Sequence, residues 1–224
     1  MTSASVACGV HAGDTDTMRR TVQGAARHGV VVGAHPSYPD RAGFGRRPMD
    51  IAPARITVEV LAQVAALDRV ARQCGTRVRF VKPHGALYLR MADDEACARA
   101  VATAVGEAGN LVLLAPAGTP CVEVAESMGV AVATEAFADR AYRSDGRLAA
   151  RTEPGAVLDD PAEVVRRAVA IAVDHAVSAI GGTTLRLAAS SICVHGDTPG
   201  AAEMASGVRA ALEDVGVTLG PFVS

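Results

Sequence analysis

Short apolar runs of β character alternate with amphipathic helical stretches along almost the whole chain, and no feature constrains the fold more. "SVACGV" leads to a helix predicted over about Asp16–His28, with Asp14 or Thr15 as N-cap and Gly29 just past its end. "VVVGA" follows, then a loop rich in Gly, Pro and Arg, "HPSYPDRAGFGRRPMD". A long helix is predicted from roughly Pro53 to Cys74, stopped by Gly75. "VRFV" leads through "KPHGALY" to a helix near Asp93–Glu107, and "LVLLA" to a short one around Cys121–Met128. After "VAVATEAF" comes the long loop "ADRAYRSDGRLAARTEPGAVLDD", then a helix from Pro161 to near "IGG". "SSICV" precedes "HGDTPG" and a last helix, about Ala201–Val215.

Repeated βα units imply parallel strands with helices outside, in a doubly wound sheet or a (β/α) barrel. A single domain over residues 1–224 suits the barrel. Roughly six strands are expected, with none ahead of "SVACGV". A barrel left open in this way has two unpaired strand edges.

Composition narrows the partners. A formal charge of -2 and 3% aromatic residues with no Trp argue against nucleic acid or an anionic membrane surface. The most apolar helix, "VVRRAVAIAVDHAVSAI", is interrupted by Arg166, Arg167, Asp174 and His175, too soon for a membrane span. "MTSASVACG" lacks the basic and apolar regions of a signal peptide. The five cysteines form no C-x-x-C pair, and Cys8 and Cys193 read as small core residues, so a reducing cytoplasm is expected. Of 22 basic residues only Lys82 is a lysine. Coding bias toward Arg explains a scarcity of lysine, yet Arg cannot replace Lys where a compact, titratable ammonium is required.

Four of the six histidines fall just after a β run: His11, His35, His84 in "FVKPHGALY" and His195 in "ICVHGDTPG". Such positions make up roughly a tenth of a (β/α) chain, so chance would place fewer than one there. In parallel α/β folds they share the face where ligands bind. One such histidine is as readily structural as functional; four together point to a site. His28, in a last helical turn, and His175, on a polar helix face, read as bland. Asp14 is as readily a helix cap as a site residue, and so is Asp197, followed by Pro199 near a helix start. "GFGRR" offers Arg46 and Arg47 to a carboxylate or phosphate. Glu135, Asp139, Arg140 and Tyr142 form either part of a site or an exposed ion-pair network. No Walker motif, strand-following G-x-G-x-x-G or G-x-S-x-G occurs.

"ACGVHAGD", "GAHPSYPDRAGFGRR", "VKPHGALY", "FADRAY" and "CVHGDTPGA", taken in series, resemble the successive signature segments of the LamB/YcsF family, that of the A subunit of bacterial 5-oxoprolinase. The resemblance covers essentially the whole chain. It implies a (β/α) barrel of the glycoside hydrolase/deacetylase type. It also implies ATP-dependent opening of 5-oxo-L-proline to L-glutamate, in a complex with B and C subunits. His11, Asp14, His35, Lys82, His84 and His195 would then line the pocket, with Arg46 and Arg47 near it. Tyr38, Tyr88, Glu135, Asp139, Arg140 and Asp197 lie in or beside the same segments and join the substrate-binding set. The family opens with a strand of the form D-L-N-x-D-x-G-E, whereas this chain starts inside the segment that follows. The expectation is a first strand missing through a start set too far downstream, the other reading being a true truncation with impaired activity.

A lactam is a poor electrophile, and coupling to ATP suggests phosphorylation of its oxygen before water attacks. In that reading His11 or His35 is the general base. Lys82 with His84 stabilises developing negative charge, and Arg46 or Arg47 holds the carboxylate or a phosphate. With no Walker motif present, the ATP site is expected wholly or partly on partner subunits. A second reading is a metal-dependent amide hydrolase or deacetylase, with His11 and His35 as imidazole ligands to a divalent ion and the Asp of the missing first strand completing a two-His, one-carboxylate set. A third is a non-catalytic assembly subunit. The sequence leaves self-association open.

Overall fold

Runs rich in Val, Ala and Leu become parallel strands here because both of their faces are covered, which is why they lack a clean polar alternation. The computed structural model describes residues 1–197 and 200–223. Two compact units divide the chain.

The first unit takes in residues 2–115 and 119–133 with the segment from Pro221. It begins with β1 (Ser3–Ala7), α1 (Thr15–Arg27), β2 (Val31–His35), α2 (Pro53–Gln73) and β3 (Val78–Val81). Then come α3 (Gly85–Asp93), α4 (Glu95–Glu107), β4 (Val112–Pro116) and α5 (Cys121–Ser127). β1 starts two residues ahead of the predicted "SVACGV" run and ends within it at Ala7, because Gly9 at φ 85° turns the chain out of the sheet. Asp14 caps α1, its carboxylate accepting from Thr17 N at 2.7 Å. α3 is absent from the predicted elements: Gly85 at φ 58° restarts the chain as a helix directly behind Pro83, and Asp94 then ends that helix and caps α4. β1 pairs with β2, β2 with β3 and β3 with β4, all parallel. Against these strands Phe80 and Leu114 are buried with Ala133, packed by Val31, Val112 and Phe222.

The second unit is built on residues 134–220 and 116–118. It holds most of β5 (Val132–Phe137), α6 (Pro161–Val169), a hairpin of β6 (Ala176–Ser178) and β7 (Thr184–Arg186), β8 (Ser191–Cys193) and α7 (Ala201–Asp214). The helix from Pro161 stops well short of the predicted "IGG". Its last turn, Ala170–Asp174, widens to a π-helix, and His175 closes it at φ 50° instead of lying on a helix face. α6 and α7 bury Val164, Ala168, Met204, Val208 and Leu212 around Ala138.

In the first unit the parallel strands follow the order β1-β2-β3-β4, and in the second β5 pairs parallel with β8. The parallel strands with their connecting helices agree with the expected α/β architecture of the (β/α)-barrel type, while the antiparallel hairpin of β6 and β7 is absent from the expected elements. Among the described residues no helix is long and apolar enough to cross a membrane.

Gly33 shows how tightly β2 and β3 are fitted, since a Cβ placed there runs into the buried Phe80 ring. Gly33→Ala should cost about 1–3 kcal/mol, as overpacking in cores does. A urea midpoint unchanged from the wild type would contradict this packing.

Candidate active site

The segments that follow β1, β2 and β3 are stitched together by main-chain bonds. Lys82 N donates to Ala34 O at 2.9 Å and His84 N to Pro36 O at 2.8 Å, so pairing between the chains continues past the strand ends. Ala86 N donates to Gly45 O at 2.9 Å, and Arg41 reaches back to the carbonyls of Gly9 and Gly13. Ser37 is gripped by Gln63, which accepts from its N–H and donates to its carbonyl. Gly45, at φ 68°, allows the loop to close in: a Cβ there would strike Ser37 Oγ and press on His11 and His84.

Three of the predicted histidines meet as a result. His11 lies flat on His84, ring centroids 4.0 Å apart and planes 7° from parallel. His35 stands edge-on to both, and Phe44 stands edge-on to His11 and His84. Lys82, only 7% exposed, points its Nζ over the Tyr88 ring at 5.8 Å. His35 Nδ1 donates to Lys82 O at 2.6 Å and His84 Nε2 to Phe44 O at 2.8 Å, since a carbonyl can only accept. The other nitrogens of these two rings face each other at 3.0 Å.

This bonding redistributes the expected roles. Both nitrogens of His35 are engaged, so it has no lone pair turned outward for a proton from water or for a metal ion. Nor do three His, Cys, Asp or Glu side chains converge as a metal-binding set among the described residues. These bonds remove His35 from the ligand role predicted for it and do not bear on that of His11. His11 differs from its neighbours: it is 2% exposed and its Nδ1 has no hydrogen-bond partner. Burial, followed by the charges of Arg46 and Arg41, pushes its pKa down to about 4. At neutral pH it is an uncharged imidazole and a weak base.

The arginine pair separates as well. Arg47 is bound to Asp40, whose carboxylate also accepts from Gly43 N. The Arg47 hydrogen bond is the main reason Asp40 is held down to about 2. Arg47 therefore braces the loop and is not turned to a ligand. Arg46 sits over the Phe44 ring at 4.8 Å, and its charge is felt by His11 and His84. Tyr38 is buried beside Arg90, which also bonds Met49 O and Ile51 O, so it serves the packing. Asp14 commits one carboxylate oxygen to its helix cap.

The remaining predicted residues belong to the second unit. His195 is bound twice by Asp139, through its backbone N at 2.7 Å and through Nδ1 at 2.9 Å, and its ring stacks on Phe137. Glu135, Asp139, Arg140 and Tyr142 are all buried, so the alternative of an exposed ion-pair network is wrong. Arg140 donates to the carbonyls of Ala149 and Ala156, and Tyr142 OH accepts from Phe137 N. Asp197 does not cap the last helix: that cap is Gly200, at φ 75° with no side-chain bond. Thr198 and Pro199, the latter predicted near the helix start, lie outside the described residues. Sequence reasoning passes over Ser37, Asp40 and Phe44; the run "SYPDRAGFG" contains all three, but their partners are distant in sequence.

Comparison with known proteins gives a consistent result. The LamB/YcsF family model matches residues 1–224. The A subunit of 5-oxoprolinase from Kocuria rhizophila is 50% identical over 99% of this chain and 88% of its own length. Its counterpart from Streptomyces avermitilis, also named as the 5-oxoprolinase A subunit, is 52% identical over 99% of this chain and 89% of its own. The crystal structure of the lactam utilization protein from Thermus thermophilus is 41% identical, with a TM-score of 0.91 over 99% of this chain and 89% of that one.

Two outcomes follow from this packing. Gly45→Ala should lose about 1–3 kcal/mol in denaturant unfolding, because it puts a side chain at positive φ against Ser37, and the ring proton resonances of His11 and His84 should shift. His11 should leave a mark on acid stability. Its folded pKa is about 4 against an ordinary 6.5, so between those values the unfolded chain binds more protons. Stability should fall as pH drops through that window and level off below it. His11→Asn should make the decline shallower in denaturant unfolding measured at a series of pH values; an unaltered slope would mean that His11 is not buried neutral.

Proposed function

The chain belongs to the LamB/YcsF family, and from that membership we propose that it opens the cyclic amide of 5-oxo-L-proline to give L-glutamate. The single observation that carries the reading into the structure is the packing of His11, His35 and His84 beside Lys82 at the ends of three neighbouring strands. The names of the relatives support it further, since they describe subunits of a 5-oxoprolinase and a lactam utilization protein.

Amide resonance makes the lactam carbon a poor target, and hydrolysis is coupled to ATP in this reading. The lactam oxygen takes the γ-phosphoryl group and ADP leaves. Water then adds to the activated carbon, and the ring C–N bond breaks as the nitrogen gains a proton, leaving an acyl phosphate that a second water hydrolyses to carboxylate and phosphate. Partner B and C subunits take part, and the nucleotide site lies wholly or partly on them. Lys82 supplies a compact positive charge to the oxygen on which negative charge develops, in a setting where burial strengthens the attraction. His11, uncharged, offers a hydrogen bond to the same region. Arg46, and not Arg47, is the guanidinium that holds the substrate carboxylate or a phosphoryl oxygen.

The test is 5-oxoproline-dependent ATP hydrolysis by the chain mixed with its partner subunits. Lys82→Met should reduce turnover by about 10²–10³-fold, the usual cost of removing one charge-stabilising group, with thermal stability retained. Full activity in Lys82→Met would remove the ammonium from the mechanism. Full activity in His11→Ala and His84→Ala as well would leave the chain a purely structural component of the complex.

A further inference from the structure

The contact between His35 and His84 counts protons. The carbonyl oxygens of Lys82 and Phe44 fix a hydrogen on His35 Nδ1 and another on His84 Nε2. What remains is His35 Nε2 against His84 Nδ1 at 3.0 Å. If both rings are neutral, two lone pairs oppose each other at hydrogen-bonding distance. If both are charged, two N–H groups and two positive charges do so. Only one added proton turns the contact into an N–H···N bond.

We propose that His35 and His84 form a single proton-binding site, which accepts one shared proton and excludes a second. The use made of that proton rests on the reaction proposed above. The pair is a positioning element: none of its four nitrogens is turned to substrate. Its shared charge lies directly beneath His11, stacked at 4.0 Å, and a cation there opposes protonation of His11. That opposition adds to the burial and the Arg46 and Arg41 charges that already hold His11 neutral, so that it serves as a hydrogen-bonding group while negative charge builds on the lactam oxygen.

The groups that face the pair set how tightly the proton is held. Lys82 acts on both rings, His11 on both, and Arg46 on His84, while Arg41 acts on His11. Cys8, beside His35, is a neutral thiol, pushed up to about 12 by burial. These neighbours and burial weigh against positive charge, and the N–H···N bond works for it. The carbonyls fix a different quantity, the number of protons the contact can take. Coupled titration as a unit is the expected behaviour of such a pair.

Nitrogen-15 spectra of the histidine rings, recorded on the intact chain from neutral pH to the acid limit of the fold, test this directly. The expected result is one step in which His35 and His84 together gain one proton. His35 Nδ1 and His84 Nε2 should remain protonated throughout, and His11 uncharged across the step. In His84→Asn the joint step should vanish and His35 should titrate alone or not at all. Two separate one-proton steps in the wild type, or no uptake before the fold melts, would overturn the proposal. The spectra need no partner or substrate. Lack of 5-oxoproline turnover would therefore sink the assigned reaction while leaving the proton site standing, and independent titration in an active enzyme would do the reverse.

Discussion

Backbone carbonyl oxygens accept hydrogen bonds and never donate them, and the histidine cluster is organised by that asymmetry. Two such oxygens, on Lys82 and Phe44, choose the tautomers of His35 and His84. Both oxygens are where they are because of longer-range constraints. The Lys82 carbonyl is set by the parallel register of β2 and β3, continued by the bond from Lys82 N to Ala34 O. The Phe44 carbonyl is set by a loop that must pass through a positive φ at Gly45 and rest its own carbonyl on the start of α3. A one-residue slip in the strand pairing would turn His35 to the opposite face and dissolve the arrangement.

Burial decides what these rings can be. Positive charge is costly on an imidazole stripped of its water, so His11 is held neutral and the pKa values of His35 and His84 are lowered as well. The loop is held closed by Asp40, whose carboxylate accepts from Gly43 N and the Arg47 guanidinium. That is why the two neighbouring arginines have different fates. Arg47 is bound to Asp40 within the loop, and Arg46 lies over Phe44, where its charge acts on the histidines.

The sequence carries the architecture because period and position are local signals. Apolar runs followed by amphipathic stretches announce βα units, and Asp14, Gly29, Gly75 and Pro161 mark helix ends within a few residues of themselves. The strand-end histidines are legible for the same reason. What stays hidden depends on partners far along the chain. The Asp139–His195 bond spans 56 residues and nothing in either motif announces it. Asp40 cannot be read as the partner that consumes Arg47 without knowing that the loop folds back. Helix α3 is missed because Pro83 and Gly85 look like loop residues, and only the positive φ of Gly85 shows that they begin a helix.

Lys82 concentrates the logic of the site in one residue. Its carbonyl holds the proton on His35, while its side chain brings the chain's only lysine ammonium beside the same ring. An arginine at this position would preserve the first role, which belongs to the backbone, and lose the second. The guanidinium is broad and forked, suited to planar anions, whereas in the reaction proposed above charge growing on one oxygen calls for a compact donor that can turn toward it. In a chain whose coding otherwise favours arginine at every basic position, that difference in shape gives a physical reason for lysine at this one.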